Sequence, residues 1–460
     1  MNRLALEDAS AHGWYRFVLS YPPHLVRHYL DRFEVTDRSR VLDPFCGTGT
    51  TLVESKKLGI PSVGIEAHPM THFASSVKTN WTPEPAGLVA HATAVAEVAL
   101  ERMADQGIDD MLLVESNGRH DYRTIPPESQ KLLLTNSISP RPLHKVLVLR
   151  DVLEDHAIPE YADHEKLALA RALVYSISNL HFGPEVGVGP AAPDAHVVGP
   201  WLANITEMAN DLRQLQDAGL EAVPVAVKHA DARNLINVLE PSSIDAVICS
   251  PPYPNEKDYT RTTRLESVLL GFVTSKAELQ LVKRGLVRSN TRTVYKGDDD
   301  DQYIATHPEI ERIAKAIEAR RLELGKTSGF ERMYHRVTKL YFGGMAKHLA
   351  DLRTILRPGA QLAYVVGDQA SFLQVMIRTG QLVAEIGDQL GYEVVGRDLF
   401  RTRLATATGE QLREEVVILR WPGCRRRAHR ARSPTVKRNE EAEHGFSVNV
   451  RHAEPGDRSR

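Results

Sequence analysis

The stretch RVLDPFCGTGTTLVESKKLGIPSVGIE, residues 40–66, constrains this chain more than any other. "RVLDPF" is an apolar run that ends in a tight turn, and "DPFCGTGT" (43–50) carries Gly47 and Gly49. "TTLVESKKLG" follows with helical spacing and Gly59 placed as its C-cap, and "PSVGIE" (61–66) is a second short apolar run. Two short apolar strands joined by a turn and a helix predict the opening of a parallel sheet covered by helices. "PMTHFASSVKTN" continues the rhythm with a second helix.

The alternation then stops. Residues 81–222 are mostly helical by period, as in "AGLVAHATAVAEVALERM" and "HEKLALARALVYSISNL". Between these helices "HFGPEVGVGPAAPDAHVVGPW" reads as loop, and its "GVG" (187–189) is too short to hold phosphate and reads as a turn. Strands resume with "VPVAVKHADARNL" (223–235) and "SIDAVICSPPYP" (243–254). After a second interruption at 255–335 come the helix "MAKHLADLRTIL", the strand "GAQLAYVVGD" and the helix "LVAEIGDQLG". "YEVVGRDLF" and "REEVVILRW" close the pattern as an antiparallel pair. The expected organisation is one α/β domain from 1–80 and 223–420. It is interrupted by a helical insertion at 81–222, a candidate target-recognition region, and a basic insertion at 255–335, and it ends in a basic tail at 421–460. No internal repeat is present.

Composition narrows the classes. With 42% hydrophobic and 25% charged residues the 460-residue chain has the balance of a folded protein. No run approaches 18 apolar residues and no secretory leader pattern opens the chain, so a membrane span and export are not expected. The three cysteines, Cys46, Cys249 and Cys424, form no C-x-x-C pair, which fits a reducing cytoplasm; Cys46 and Cys249 read as small buried residues. No histidine has metal-ligand spacing with cysteine or acid, so no metal is expected. The net charge of −2 hides two basic segments, one at 255–296 and one from Arg420 to Arg438 without an acid. The bland reading of the second is a solvated tail, and that of Asp298–Asp301 a solvated loop.

The chemistry concentrates at strand ends, where open parallel sheets bind ligands. Gly47 and Gly49 let the backbone turn tightly against a ligand. The turn lacks the Gly-Lys-Ser/Thr ending of a phosphate loop and is not G-x-G-x-x-G. Asp43 at its head favours a cationic or neutral ligand over a pyrophosphate. Glu66 ends the second strand, placed for ribose hydroxyls, and Asp231 ends the third, placed for an adenine amino group. Each acid alone could be a helix cap. Together with the glycine turn they suit an adenosine that bears an amino acid and a positive sulfur.

In "SPPY" (250–253) the prolines remove two backbone donors and leave carbonyls free to accept, and Ser250 adds an oxygen. Two acceptors facing one point suit an NH₂ donor, and Tyr253 offers a ring on which a planar base stacks.

"DPFCGTGTTL", Glu66, "DAR" at 231–233 and "SPPYP" together resemble the S-adenosylmethionine-dependent amino methyltransferases of DNA, the cytosine-N4 and adenine-N6 enzymes. "YPPHLVRHYL" (21–30) resembles the segment those enzymes pack on the methionine end of the cofactor, and "LRPGAQLAYVVGD" with the closing strands resembles the later part of their fold. The resemblance covers 14–80, 223–254 and 340–420. It implies a Rossmann-like methyltransferase sheet, mostly parallel with an antiparallel closing strand. It implies a cofactor site of Tyr21, Asp43, Phe45, Gly47, Gly49, Thr50, Glu66, Asp231 and Ala232, and a base site of Ser250, Pro251, Pro252 and Tyr253. Serine at the first place of the motif points to cytosine N4, with adenine N6 as the alternative. The substrate it implies is double-stranded DNA, with a restriction or defence nuclease as a compatible partner. Arg261 and Arg264, three apart on what reads as a helix leaving the SPPY loop, are candidates for DNA phosphates, with a solvated face as the alternative. An RNA amino methyltransferase, a glutamine methyltransferase and a non-catalytic cofactor- and DNA-binding subunit remain as other readings.

Overall fold

The computed structural model describes residues 8–16, 20–113, 121–182, 185–255, 257–404, 409 and 411–423; the basic run beyond Gly423 lies outside them. Seven strands form one sheet: β1 (Val41–Asp43), β2 (Ser62–Glu66), β5 (Val225–His229), β6 (Ile244–Cys249), β7 (Leu356–Gly367), β8 (Glu393–Leu404) and β9 (Gln411–Arg420). The remaining two, β3 (Leu180–Phe182) and β4 (Val186–Val188), make a separate antiparallel hairpin. The expected turn at 187–189 is thus partly strand. Its pairing partner lies in a neighbouring run with no alternating pattern, so local sequence could not announce it.

The order across the main sheet is β5-β2-β1-β6-β7-β9-β8. The first five strands are parallel, and β9 runs antiparallel between β7 and β8. This is a Rossmann-like α/β sheet with an antiparallel closing strand. Every residue of β1 is buried, as a central parallel strand covered on both faces requires. One face packs on Pro23–Arg32 through Val26, Tyr29 and Leu30. The other packs on Pro308–Glu323, Tyr334–Leu352 and Thr379–Gln389 through Tyr341, Phe342, Leu349 and Val383. β1 pairs with β2 on one side and β6 on the other, so the strand order reverses between β1 and β6 and a crevice opens above their carboxyl ends.

Between β2 and β5 the chain leaves the sheet through Pro69–Thr79 and builds the helices Pro85–Asp105, Pro140–Asp155, Ala162–Ala172 and Val198–Asp217. Their apolar faces meet Trp14, Trp81 and Trp201, all fully buried, in a core that also takes in Met70, Ala74 and Val77 from the helix after β2. Each such aromatic removes on the order of 150–250 Å² from water, so this packing anchors the insertion firmly. Buried polar groups are paired across it: Lys145 lies between Asp110 and Asp194, and Arg141 also binds Asp194. Among the described residues no helix is long and apolar enough to cross a membrane.

Residues 298–301 are not a solvated loop. Asp298 pairs with Arg288, while Asp300 is buried against Arg233. Asp298 neutralises an arginine of the basic insertion and Asp300 one just beyond β5, an arrangement invisible to a reading of local charge. Cys46 and Cys249 are buried and unpaired.

Candidate active site

A cavity of about 500 Å³ opens at the carboxyl ends of β1, β2, β5 and β6. The turn after β1 forms its floor. Gly47 and Gly49 both adopt positive φ, +52° and +84°, a region that costs a side chain free energy. A Cβ on Gly49 would also stand 3.1 Å from Ser75 Cβ, so glycine lets the helix Thr50–Lys57 start against its neighbour.

Glu66 ends β2 on the cavity wall. Its Oε2 accepts the Gly47 N–H at 2.8 Å and its Oε1 accepts the His68 N–H at 2.8 Å. The carboxylate is thereby fixed in place, and each oxygen retains a lone pair for a ligand hydroxyl. Burial pushes its pKa up, and the two amide bonds draw it back.

Asp43 was expected beside the ligand and stands instead behind the wall, fully buried. Its Oδ1 accepts the Phe45 N–H at 3.0 Å and its Oδ2 the Tyr21 hydroxyl at 3.1 Å. Burial raises its pKa to about 7. Tyr21 is also hydrogen-bonded to Thr51, which donates to Ile248 O at 3.0 Å. The chain segment before the first helix is thus tied to the glycine turn and to β6 by one buried network. Gly49 likewise lies off the wall, whereas Tyr21, Phe45, Gly47, Thr50, Glu66, Asp231 and Ala232 line the cavity.

Asp231 holds both oxygens against Arg233, whose Nη2 is 2.7 Å from Oδ2. The same guanidinium reaches Asp300 and the Arg284 carbonyl, linking the end of β5 to the basic insertion. The paired carboxylates raise the Arg233 pKa although burial opposes them.

Beyond β6, Ser250, Pro251, Pro252 and Tyr253 line the same cavity. Ser250 Oγ donates to Val365 O at 3.2 Å, so its lone pairs remain available as acceptors. The Tyr253 ring lies along Gly367, where a Cβ would stand 3.1 Å from a ring carbon. Burial, foremost, pushes the Tyr253 hydroxyl well above its ordinary pKa, so it stays protonated.

Arg261 and Arg264 do not share one helix. The segment breaks at Thr263 into Tyr259–Thr262 and Arg264–Leu269. Arg264 turns inward and donates to Thr260 O at 2.9 Å and Leu132 O at 3.2 Å, while Arg261 is half-buried.

Two further features escaped the sequence. His348 stacks edge-on to Phe45 with ring centres 4.9 Å apart. Its Nδ1 lies 2.8 Å from Ala232 O and its Nε2 2.7 Å from the Tyr364 hydroxyl. A carbonyl only accepts, so Nδ1 carries the proton and Nε2 accepts from Tyr364. Burial lowers its pKa to about 4, keeping it neutral. It therefore fixes Phe45 and Ala232, two residues of the cavity wall. The second feature is the segment 286–293, which closes the cavity with Leu286, Val287, Ser289, Asn290 and Thr293. A histidine on a helix far in sequence from both loops carries no local signal, and neither does a loop whose role is set by where Asp300 anchors it.

Comparison with known proteins agrees with this geometry. A family model of N6/N4 DNA methylases matches residues 11–74, the segment that includes the glycine turn and Glu66. The Type II methyltransferase M.BsoBI of Geobacillus stearothermophilus is 22% identical over 431 residues, covering 85% of this chain and 80% of that protein. M.AvaI of Nostoc sp. is 21% identical over 439 residues, covering 89% and 86%. M.MjaII of Methanocaldococcus jannaschii is 40% identical over 68 residues, 15% of this chain and 12% of that protein. With a strand order that places the glycine turn and the SPPY loop on one cavity, the chain is similar to the N6/N4 DNA methylases over residues 11–74 and to Type II methyltransferases over most of its length, the similarity expected of an S-adenosylmethionine-dependent amino methyltransferase.

Proposed function

We propose that the chain transfers the methyl group of S-adenosylmethionine to the exocyclic amine of a flipped base in duplex DNA, with cytosine N4 the favoured acceptor. The observation that carries this is the shared cavity: the fixed carboxylate of Glu66 and the acceptor oxygen of Ser250 line one space of about 500 Å³. That size suits a small-molecule cofactor together with a planar base.

On this reading Glu66 receives the ribose, Asp231 and Ala232 the adenine edge, and Tyr21, Phe45, Gly47 and Thr50 the remainder of the cofactor. Asp43 and Gly49 shape the turn from behind. When bound, the cofactor supplies an electrophilic methyl on a positively charged sulfur.

The amine lone pair of cytosine is conjugated with its ring and is a poor nucleophile. Ser250 Oγ and the Pro251 carbonyl align the NH₂ group so that its nitrogen can rehybridise and face the methyl. Tyr253 stacks on the base, which offsets part of the few kcal/mol spent on flipping by roughly 1–3 kcal/mol. Its hydroxyl keeps its proton and does not act as a base, so the amine would form its new N–C bond as the methyl's bond to sulfur breaks, the pair staying on sulfur as a neutral thioether, and would then release its proton towards solvent. Serine rather than aspartate or asparagine at position 250 favours cytosine. A companion nuclease, from which the modification would protect host DNA, is the partner this activity fits.

The test is to digest DNA from an expressing host to nucleosides and identify the modified one by mass spectrometry. N4-methylcytosine is the expected product. N6-methyladenine would move the acceptor to the other base. Methyl label found only in RNA or protein would overturn the reading.

A further inference from the structure

Three cationic side chains line the cavity together, and among the described residues only one of them is ion-paired. Lys257 follows the SPPY loop, while Arg401 and Arg403 stand on β8. Arg401 is ion-paired with Glu414 of β9. Among the described residues neither Lys257 nor Arg403 has an acid within ion-pair distance. The two nevertheless feel each other: the Lys257 pKa is lowered first by burial and next by Arg403, with Glu185 and Glu414 drawing it back by less. A folded protein gains nothing by crowding two unpaired cations at a cavity edge, because like charges there are destabilising. The arrangement makes sense when an anion joins them.

The position says which anion. Both groups line the cavity that holds the Tyr253 ring. The Lys257 backbone is fixed from across the mouth, since Asn290 Nδ2 donates to its carbonyl at 3.0 Å. β8 is equally anchored, because Arg403 is paired in register with Leu412 of β9. A free nucleotide or inorganic ion would be held equally well on any basic surface. A phosphodiester that enters with an extruded base has to pass the rim beside the stacking ring.

Building on the functional reading above, we propose that Lys257 and Arg403 form a clamp for a phosphodiester group of the DNA strand next to the flipped nucleotide. They are positioning residues: they touch the strand and not the reacting atoms. Arg401, held by Glu414, is not part of the clamp.

The test compares the full-length wild type with Lys257→Ala, Arg403→Ala, the double variant and Arg403→Lys. The readouts are fluorescence anisotropy on an unmodified duplex DNA fragment over a range of salt, methyl-transfer KM on the same DNA, and calorimetric affinity for S-adenosylmethionine. Each alanine variant should weaken DNA binding and raise the DNA KM about tenfold, as loss of a charge-assisted contact predicts. The double variant should flatten the slope of log K against log salt by about 0.9, the signature of one lost phosphate. Cofactor affinity should stay at the wild-type value, which also reports an intact fold, and Arg403→Lys should recover part of the binding. Wild-type affinity and slope in the double variant would overturn the clamp, whatever the activity. If the wild type methylates no base yet the double variant loses DNA binding with the predicted slope, the clamp stands and the functional reading fails.

Discussion

Arg233 and Asp300 form an ion pair in which each side chain is only 8% exposed, and this pair joins the end of β5 to the inserted segment that closes the cavity. Because the same guanidinium also holds Asp231, the cavity wall at the end of β5 and the segment that closes the cavity share one anchor.

Removing that anchor should therefore be felt twice. Arg233→Gln leaves Asp300 buried with only Lys347, 3.4 Å away, to balance it. Breaking a buried pair from one side costs about 3–5 kcal/mol, and urea denaturation should show a loss near the lower end of that range. Calorimetry should also show weaker S-adenosylmethionine binding, because Asp231 loses its orientation. Arg233→Lys keeps the charge without the planar fork and should fall between the two. A variant with wild-type stability and cofactor affinity would show that the anchor is idle.

The two glycines of the turn should fail in different ways. Gly47 has open space where a Cβ would be, so Gly47→Ala pays only for its positive φ, about 1–2 kcal/mol. Its amide holds Glu66, however, so cofactor affinity should drop with it. Gly49→Ala pays the same strain and also crowds Ser75, and should lower Tm more. Equal Tm losses with unchanged cofactor affinity in both would contradict this division.

Glu266 provides a pH test away from the cavity. It is buried, Tyr15 donates to its Oε1, and its Oε2 has no partner among the described residues. Burial raises its pKa from 4.5 to about 7. Between those values the folded protein keeps a proton that the unfolded chain has released. Raising the pH through this window therefore favours unfolding, and stability falls from about 4.5 to about 7 and is level in this respect above. The contribution is on the order of 3 kcal/mol at most. Asp43, raised to about 7 in the same way, acts in the same direction. The difference in unfolding free energy between wild type and Glu266→Gln, followed from pH 4 to 8, isolates the Glu266 part. Two curves that stay parallel would refute it.

How far the molecule was legible depends on the range of the interactions involved. β1, β2, β6 and β7 announce themselves because a buried parallel strand needs an unbroken apolar run, and the turn at 43–50 announces itself because positive φ demands glycine. The acids Glu66 and Asp231 stand where strand ends put them. What stayed hidden depends on contacts between distant segments. Arg233 stands in the "DAR" run, but its role depends on Asp300 being brought to it, and His348 gains its meaning from Phe45 and Ala232. Arg264 has the spacing of a phosphate ligand yet spends its guanidinium on Leu132 O, a carbonyl in the helical insertion. Periodicity reports burial along one element; it does not report what arrives from the next.

The central claim is that Ser250 and Tyr253 present a base amine to the cofactor methyl, and single-turnover transfer of labelled methyl to duplex DNA tests it most directly. Ser250→Ala removes one acceptor that matters chiefly in the transition state, so the transfer rate should fall by about 10²-fold or more with cofactor affinity unchanged. Tyr253→Phe should be nearly silent, because stacking needs the ring and not the hydroxyl, while Tyr253→Ala should lose base capture. The account predicts that the label sits on an exocyclic base nitrogen and that its rate of arrival follows this order. Wild-type rates in both Ser250→Ala and Tyr253→Ala, or label on any other atom, would contradict it.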